Sequence, residues 1–245
     1  ADAFDDHYHH LVLFDNERQC VAGAYRLAFC DEVLATRGLA GLYTSQLFRY
    51  RAGMQKELRS AIEMGRSFVA PEYQRQSSAL ALLWRGIGEI LVRNPRYRRL
   101  IGPVSISEQY RGSVRRLLLA YLRAQHGSPA LAKLVEPKRP AEVELTDPER
   151  VVLIRACRNR REFGRTMESL NGSLRPLPVL LERYLDLGGK VAAFSVDSAF
   201  NHCIDALITV DVDRAPQATL RRFLGATGHA EFASYGARVG EVMTG

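Results

Sequence analysis

The chain has 245 residues, 47% of them hydrophobic, which provides ample core for one large domain or two small ones and excludes disorder as the default. Its apolar runs, such as Leu117 to Ala120, fall far short of the roughly 20 residues a bilayer span needs. The formal net charge of +7 favours an anionic partner without choosing among nucleic acid, anionic lipid headgroups and an acidic carrier protein.

In chain order, His9 to Asp15 and Cys20 to Cys30, joined by the polar Asp15-Asn16-Glu17 turn, read as a two-stranded hairpin. A short helix is expected around Ser45 to Tyr50, then a strand from Ala61 to Ala70 ended by Pro71. Leu80, Leu83, Ile87 and Leu91 recur at helical spacing, so Ser77 to Arg93 should be an amphipathic helix. A strand at Leu100 to Ile106 and a helix at Ser113 to Gln125 follow, and the β-α-β-α order implies parallel or mixed pairing. Four prolines between 127 and 150 suggest a surface excursion over 127–176, with a charged helix from Pro148 to Arg160. A helix at Leu177 to Leu187, strands at Val191 to Val196 and Ala206 to Val212, and a tail helical from Ala218 complete a single α/β domain over 1–245.

Nothing at the start reads as a secretory signal, so a cytoplasmic location follows, while Ala1 in place of methionine points to residues upstream. Cys20, Cys30, Cys157 and Cys203 form no C-x-x-C pair, which argues against a zinc knuckle or disulfide framework. His7, His9 and His10 alternate faces of a strand with no carboxylate cluster around them, so no metal is expected. G-x-S-x-G is absent, which excludes a serine nucleophile elbow, and no zinc finger or helix-turn-helix signature supports nucleic-acid binding.

The most informative stretch runs from Ile62 to Tyr73, then Gln74-Arg75-Gln76-Ser77-Ser78-Ala79 into a helix. A strand feeding a polar loop and a helix N-terminus presents unpaired N–H groups to an anion. Glu63 within that strand is a candidate general base, or else a structural partner of Arg66 or Arg26. The two arginines need acidic partners inside a sheet, and Asp2, Asp5 and Glu63 are available. Such a network is structural, or it receives a substrate ammonium on the acids and a carboxylate on an arginine; the two readings are compatible.

Asp2-Ala3-Phe4-Asp5, Gly23-Ala24-Tyr25-Arg26-Leu27, Tyr43-Thr44-Ser45-Gln46-Leu47-Phe48 and the E-x-x-R-x-F pattern at Glu63, Arg66 and Phe68 stand in the order found in acyl-homoserine-lactone synthases and ornithine-lipid acyltransferases, which this chain resembles. Gly102-Pro103-Val104-Ser105-Ile106-Ser107, Pro178-Val179-Leu180-Leu181, Leu187-Gly188-Gly189-Lys190 and Phe194 to Asp211 are similar to bacterial hemolysin-like or lysophospholipid-type acyltransferases. The resemblance implies an acetyltransferase-like (GNAT) fold of the autoinducer-synthase type, a mixed, mostly antiparallel sheet with flanking helices. It implies direct N-acyl transfer of a plain or 3-hydroxy fatty chain from acyl carrier protein, or coenzyme A, to an amino acid such as ornithine or glycine. Lysophospholipid O-acylation and non-catalytic carrier binding are the alternatives. Ser77 stands where the family's pantetheine loop carries glycine, which points to the carrier protein as donor.

By this resemblance Glu63, Arg66 and Tyr110 are catalytic, with Tyr110 protonating the leaving thiolate or else packing. Asp2, Asp5, Arg26, Ser45, Phe68 and Ser105 would bind substrate, and Val69, Ala70, Arg75, Ser77 and Ser78 the acyl-pantetheine, with Phe68 to Ala70 offering oxyanion N–H donors. No permanently bound cofactor is expected. Arginine clusters at 96–99, 111–116 and 155–165 would be solvated faces, or would dock the acidic carrier protein or an anionic membrane face.

Overall fold

The structure, a computed structural model, describes residues 2–75, 77–172 and 175–244, with the side chains of residues 77, 171 and 237–244 left outside the description. The chain forms β1 (His9–Asp15), β2 (Cys20–Phe29), α1 (Cys30–Arg37), β3 (Phe48–Tyr50), α2 (Met54–Leu58), β4 (Ala61–Val69) and α3 (Ser77–Arg93). There follow β5 (Arg99–Ile106), α4 (Gly112–His126), α5 (Pro129–Ala132), β6 (Val135–Pro137), α6 (Asp147–Ala156) and α7 (Arg160–Asn171). The last elements are α8 (Val179–Asp186), β7 (Lys190–Asp197), β8 (Cys203–Asp211), α9 (Gln217–Leu224) and α10 (Ala226–Thr244). Among the described residues no helix is long and apolar enough to cross a membrane.

The chain divides into two compact units, the first Ala1–Tyr43, Lys56–Ile101 and Asp211–Gly245, the second Thr44–Gln55 and Gly102–Val210. In the first, β1 pairs antiparallel with β2 and β2 antiparallel with β4, while Ala61–Glu63 run parallel to Arg99–Ile101. α3 packs on β1 and β2, and its apolar stripe supplies the buried Leu83, Ile87 and Leu91. Gly23 on β2 is required there: a Cβ would meet the Phe68 carbonyl at 2.8 Å and Leu83 at 3.0 Å. In the second unit β7 and β8 pair antiparallel, and α4 and α5 pack on β7. The mostly antiparallel pairing with flanking helices is the GNAT-like α/β fold expected from the sequence.

Two local expectations change. Residues 45–50 form a 3₁₀ turn, Tyr43–Gln46, and then β3, because Phe48 is fully buried and β3 finds a strand partner in β6. The expected helix 148–160 breaks at residues 157–159, where the Asn159 side chain accepts the Glu162 N–H at 2.9 Å and starts α7. Residues 127–176, expected as an excursion, carry α5, β6, α6 and α7. Arg116 to Glu149 at 2.6 Å and the stacked rings of Tyr121 and Phe163, 3.7 Å apart, fasten α6 and α7 to α4.

Candidate active site

The first unit concentrates the chemically unusual residues. Register explains why: Ala24 faces Phe68 but Arg26 faces Gly65, so Arg66 and Ser67 together oppose Tyr25. This β-bulge places Arg66 in left-handed backbone, φ 46°, and turns its side chain, 48% exposed, toward solvent. Arg26, only 3% exposed, lies beneath it.

Asp2 joins the two cations, with Oδ1 accepting Arg26 Nη1 at 2.5 Å and Oδ2 accepting Arg66 Nη2 at 3.0 Å. Asp5 Oδ1 accepts Arg26 Nη1 at 2.7 Å, and the Asp2 N–H donates to Asp5 Oδ2 at 2.7 Å. The Arg26 guanidinium sits among the rings of Phe4, Tyr8 and Tyr43, 5.1–5.6 Å from their centres. The hydrogen bonds from Arg26 and the Asp2 N–H hold the Asp5 carboxyl down to about 2. Burial pushes Asp2 upward, but Arg26, the Phe4 N–H and the charge of Arg66 outweigh it and its pKa is low. Both carboxyls are therefore anions across the physiological range.

Asp2, Asp5, Arg26 and Arg66 line a cleft of about 270 Å³ together with His10, Ala24, Tyr25 and Phe68. His10 Nε2 lies 3.8 Å from Asp5 Oδ1 and the ring is half exposed. The cleft thus joins two fixed anions, an outward-facing guanidinium, an imidazole and the exposed face of Phe68.

Glu63 is 1% exposed. Its Oε2 accepts the Tyr8 hydroxyl and the Tyr43 N–H, the latter at 3.0 Å, while the same N–H reaches the Tyr8 oxygen at 2.8 Å. Burial, then the adjacent Glu63 charge, raises the Tyr8 phenol and the Cys30 thiol well above their ordinary values. The acids therefore sort differently from the simplest sequence pairing: Asp2 and Asp5 take the arginines, and Glu63 takes Tyr8 and the Tyr43 amide.

The pantetheine candidates follow Phe68. Of the three amides expected as oxyanion donors, that of Ala70 donates to the Ala22 carbonyl at 2.9 Å. Phe68 shares its phase in the antiparallel ladder, so both face β2. Val69 faces the opposite edge, as its carbonyl shows by accepting Gln74 Nε2 at 2.9 Å. Arg75 and Ser78 are exposed ahead of and within the first turn of α3; the side chain of Ser77 lies outside the described residues.

Ser45, Ser105 and Tyr110 belong to the second unit. The Tyr110 hydroxyl donates to the Arg175 carbonyl at 2.9 Å, so its proton is engaged, and burial raises its pKa. Exposed Ser105 donates to Asp205 Oδ1 at 2.6 Å. Asp205 is 3% exposed; burial raises its carboxyl to about 6, opposed by the Ser105 hydrogen bond and assisted by Asp197. Sequence reasoning weighed His10 only as a metal ligand and Tyr43 only as part of a motif, and passed over Tyr8 and Asp205. For Asp205 the signal was present, an acid inside the apolar run Ile204 to Val210.

Comparison with known proteins bears on the same region. Residues 1–85, which contain the whole cleft, match the model of the acetyltransferase (GNAT) domain family. A glycine N(alpha)-acyltransferase of Phocaeicola vulgatus is 29% identical over 205 residues, covering 79% of this chain and 61% of that protein. A glycine N(alpha)-acyltransferase of Bacteroides thetaiotaomicron is 28% identical over 226 residues, covering 86% of this chain and 65% of that protein. The chain spans less than two-thirds of the length of these curated relatives. No solved structure matches it significantly.

Proposed function

We propose that the chain is an N-acyltransferase that moves a fatty acyl group from a thioester to the amine of an amino acid, in a ternary complex without a covalent enzyme intermediate. The observation that carries this reading is the cleft itself: two carboxylates held ionised by arginines, with Arg66 free to face solvent beside them. Asp2 and Asp5 receive the acceptor's ammonium and Arg66 its carboxylate, the complement of an amino-acid zwitterion. The names of the relatives put glycine first among acceptors, and the motif resemblance to ornithine-lipid synthases adds ornithine.

The bound ammonium first gives one proton to a base, the freed amine nitrogen attacks the thioester carbonyl carbon and the C–S bond breaks, and the second N–H proton passes through solvent to the departing thiolate. Asp2 and Asp5 are too acidic to serve as that base, and the arginines hold their protons. Among the residues lining the cleft, His10 offers an imidazole nitrogen that can accept a proton, 3.8 Å from Asp5, and takes the role. Glu63, read from the sequence as the base, becomes a positioning residue: it fixes Tyr8 and Tyr43, whose rings hold Arg26, which holds Asp2 and Asp5. The Val69 N–H is the oxyanion donor, and the Arg75 to Ser78 turn with the start of α3 takes the pantetheine arm. The glycine-poor loop favours acyl carrier protein over coenzyme A, with an acyl chain either plain or 3-hydroxylated.

The test is mass-spectrometric detection of N-acyl products from a panel of carrier-protein and coenzyme A thioesters with free amino acids, comparing the native chain with Glu63→Gln and Arg66→Ala. An N-acyl amino acid that diminishes in both variants is the expected outcome. No product from any pairing by the folded protein refutes the reading and promotes lysolipid acylation or carrier binding.

A further inference from the structure

One surface of the second unit takes no part in the chemistry above. On α6, Val151 is 52% and Ile154 71% exposed. Three residues apart, they share one face of the helix, and two branched apolar side chains held in water are a standing cost to the folded state. Arg155 follows Val151 by four residues on α6, and Arg158 and Arg161 come just after the helix, in the break at 157–159 and in the first turn of α7, so guanidinium groups follow the apolar pair closely along the chain. From Arg150 to Arg161 there are five arginines and no acidic residue. Arg150 lies 3.9 Å from Asp147 at the N-terminal end of the helix, and Arg160 pairs with Glu182 and Asp186. Arg155, Arg158 and Arg161 are exposed and have no acidic partner among the described residues. The charge on this stretch of chain is therefore unneutralised close to the protruding apolar side chains.

We propose that the exposed side of α6 and the break into α7 rest on an anionic lipid surface, with Val151 and Ile154 entering the boundary between headgroups and acyl chains and Arg155, Arg158 and Arg161 meeting lipid phosphates. Charge complementarity selects the occupant. Aliphatic side chains standing out between arginines match an interfacial helix, where both kinds of group are satisfied at once. A purely ionic protein partner would satisfy the arginines and leave Ile154, the most exposed large hydrophobic residue described, with nothing apolar to cover it. A single short helix supports reversible, salt-sensitive contact only. This inference stands on a different unit and different residues from the acyl-transfer reading and does not depend on it.

Vesicle co-sedimentation tests it, using phosphatidylcholine alone and phosphatidylcholine mixed with phosphatidylglycerol, with the native chain, Ile154→Ser, and Arg155→Gln with Arg158→Gln. All the altered side chains are exposed, so circular dichroism should show each variant folded. The native chain is expected to bind the phosphatidylglycerol vesicles and to be released by salt. Each arginine removed should weaken binding about fivefold, hence about 25-fold for the pair, and Ile154→Ser should weaken it several-fold. Equal binding to both vesicle types, or binding to neither, overturns the proposal. So does light scattering that shows the native chain dimeric and Ile154→Ser monomeric without a change in vesicle binding, or capture by an acidic carrier protein in the absence of any vesicle binding.

Discussion

Replacing Asp205 by Asn should make the protein more stable at neutral pH, against the usual direction of a core substitution. Asp205 sits within β8, 3% exposed, and burial lifts its carboxyl from 3.8 to about 6. Below pH 3.8 both folded and unfolded chains hold the proton, so the site contributes no penalty. As the pH rises, the unfolded chain releases its proton first; the folded state becomes progressively less favoured and the loss is complete above about pH 6. A shift of about two units corresponds to about 3 kcal/mol at pH 7. Asparagine keeps an oxygen to accept the Ser105 hydroxyl, now 2.6 Å away, and removes the ionisation. Guanidinium chloride unfolding followed by circular dichroism at pH 4 and pH 7 would show Asp205→Asn gaining up to about 3 kcal/mol over the native chain at pH 7, with the gain shrinking toward zero at pH 4. A variant no better at pH 7 than at pH 4, or worse at pH 7, would refute the reasoning and mean that the ionised carboxylate is stabilised by more than the Ser105 bond.

His10→Gln should lower acyl transfer to an amino acid by about 10²–10⁴-fold near neutral pH and regain rate as the pH approaches the amine's own pKa; a pH profile of unchanged shape would leave His10 structural. Arg66→Ala should raise KM by about 10–100-fold for an acceptor with a carboxylate, as loss of a charged hydrogen bond implies, and leave an amine without one little affected, which steady-state kinetics with paired acceptors would show. Gly88→Ala should destabilise by about 1–2 kcal/mol despite better helix propensity, because its Cβ would stand 2.5 Å from the Phe223 carbonyl and force α3 from α9; an unchanged thermal midpoint would contradict it.

The elements that sequence placed well are those whose own side chains dictate them. The period of Leu80, Leu83, Ile87 and Leu91 specified α3 with the same bounds as observed, and the apolar runs either side of the Asp15 turn specified the β1–β2 hairpin. β3 escaped because Phe48 to Tyr50 has no period of its own; it is extended because β6, nearly 90 residues away, supplies its partner. The break after α6 rests on one capping side chain, Asn159, in a stretch whose composition favours continued helix.

The same division runs through the candidate site. An arginine within an apolar strand is conspicuous in any sequence, so Arg26 and Arg66 and their need for acids were legible, and Asp2 and Asp5 were among the partners named. What was not legible is how the acids divide. Glu63 carries the same charge as Asp2 and reads as an equally good partner for Arg26, yet it meets Tyr8 and Tyr43, 55 and 20 residues away, whose aromatic character signals only core. That division decides the chemistry. In the proposed reaction, a carboxylate tied to arginine receives the ammonium and cannot deprotonate it, and a carboxylate enclosed by a phenol and an amide holds a scaffold in place. The proposed reaction then needs its proton taken by a residue that no motif marks. His10 has that position because β1 sets it opposite Arg26 in register, where its ring reaches Asp5.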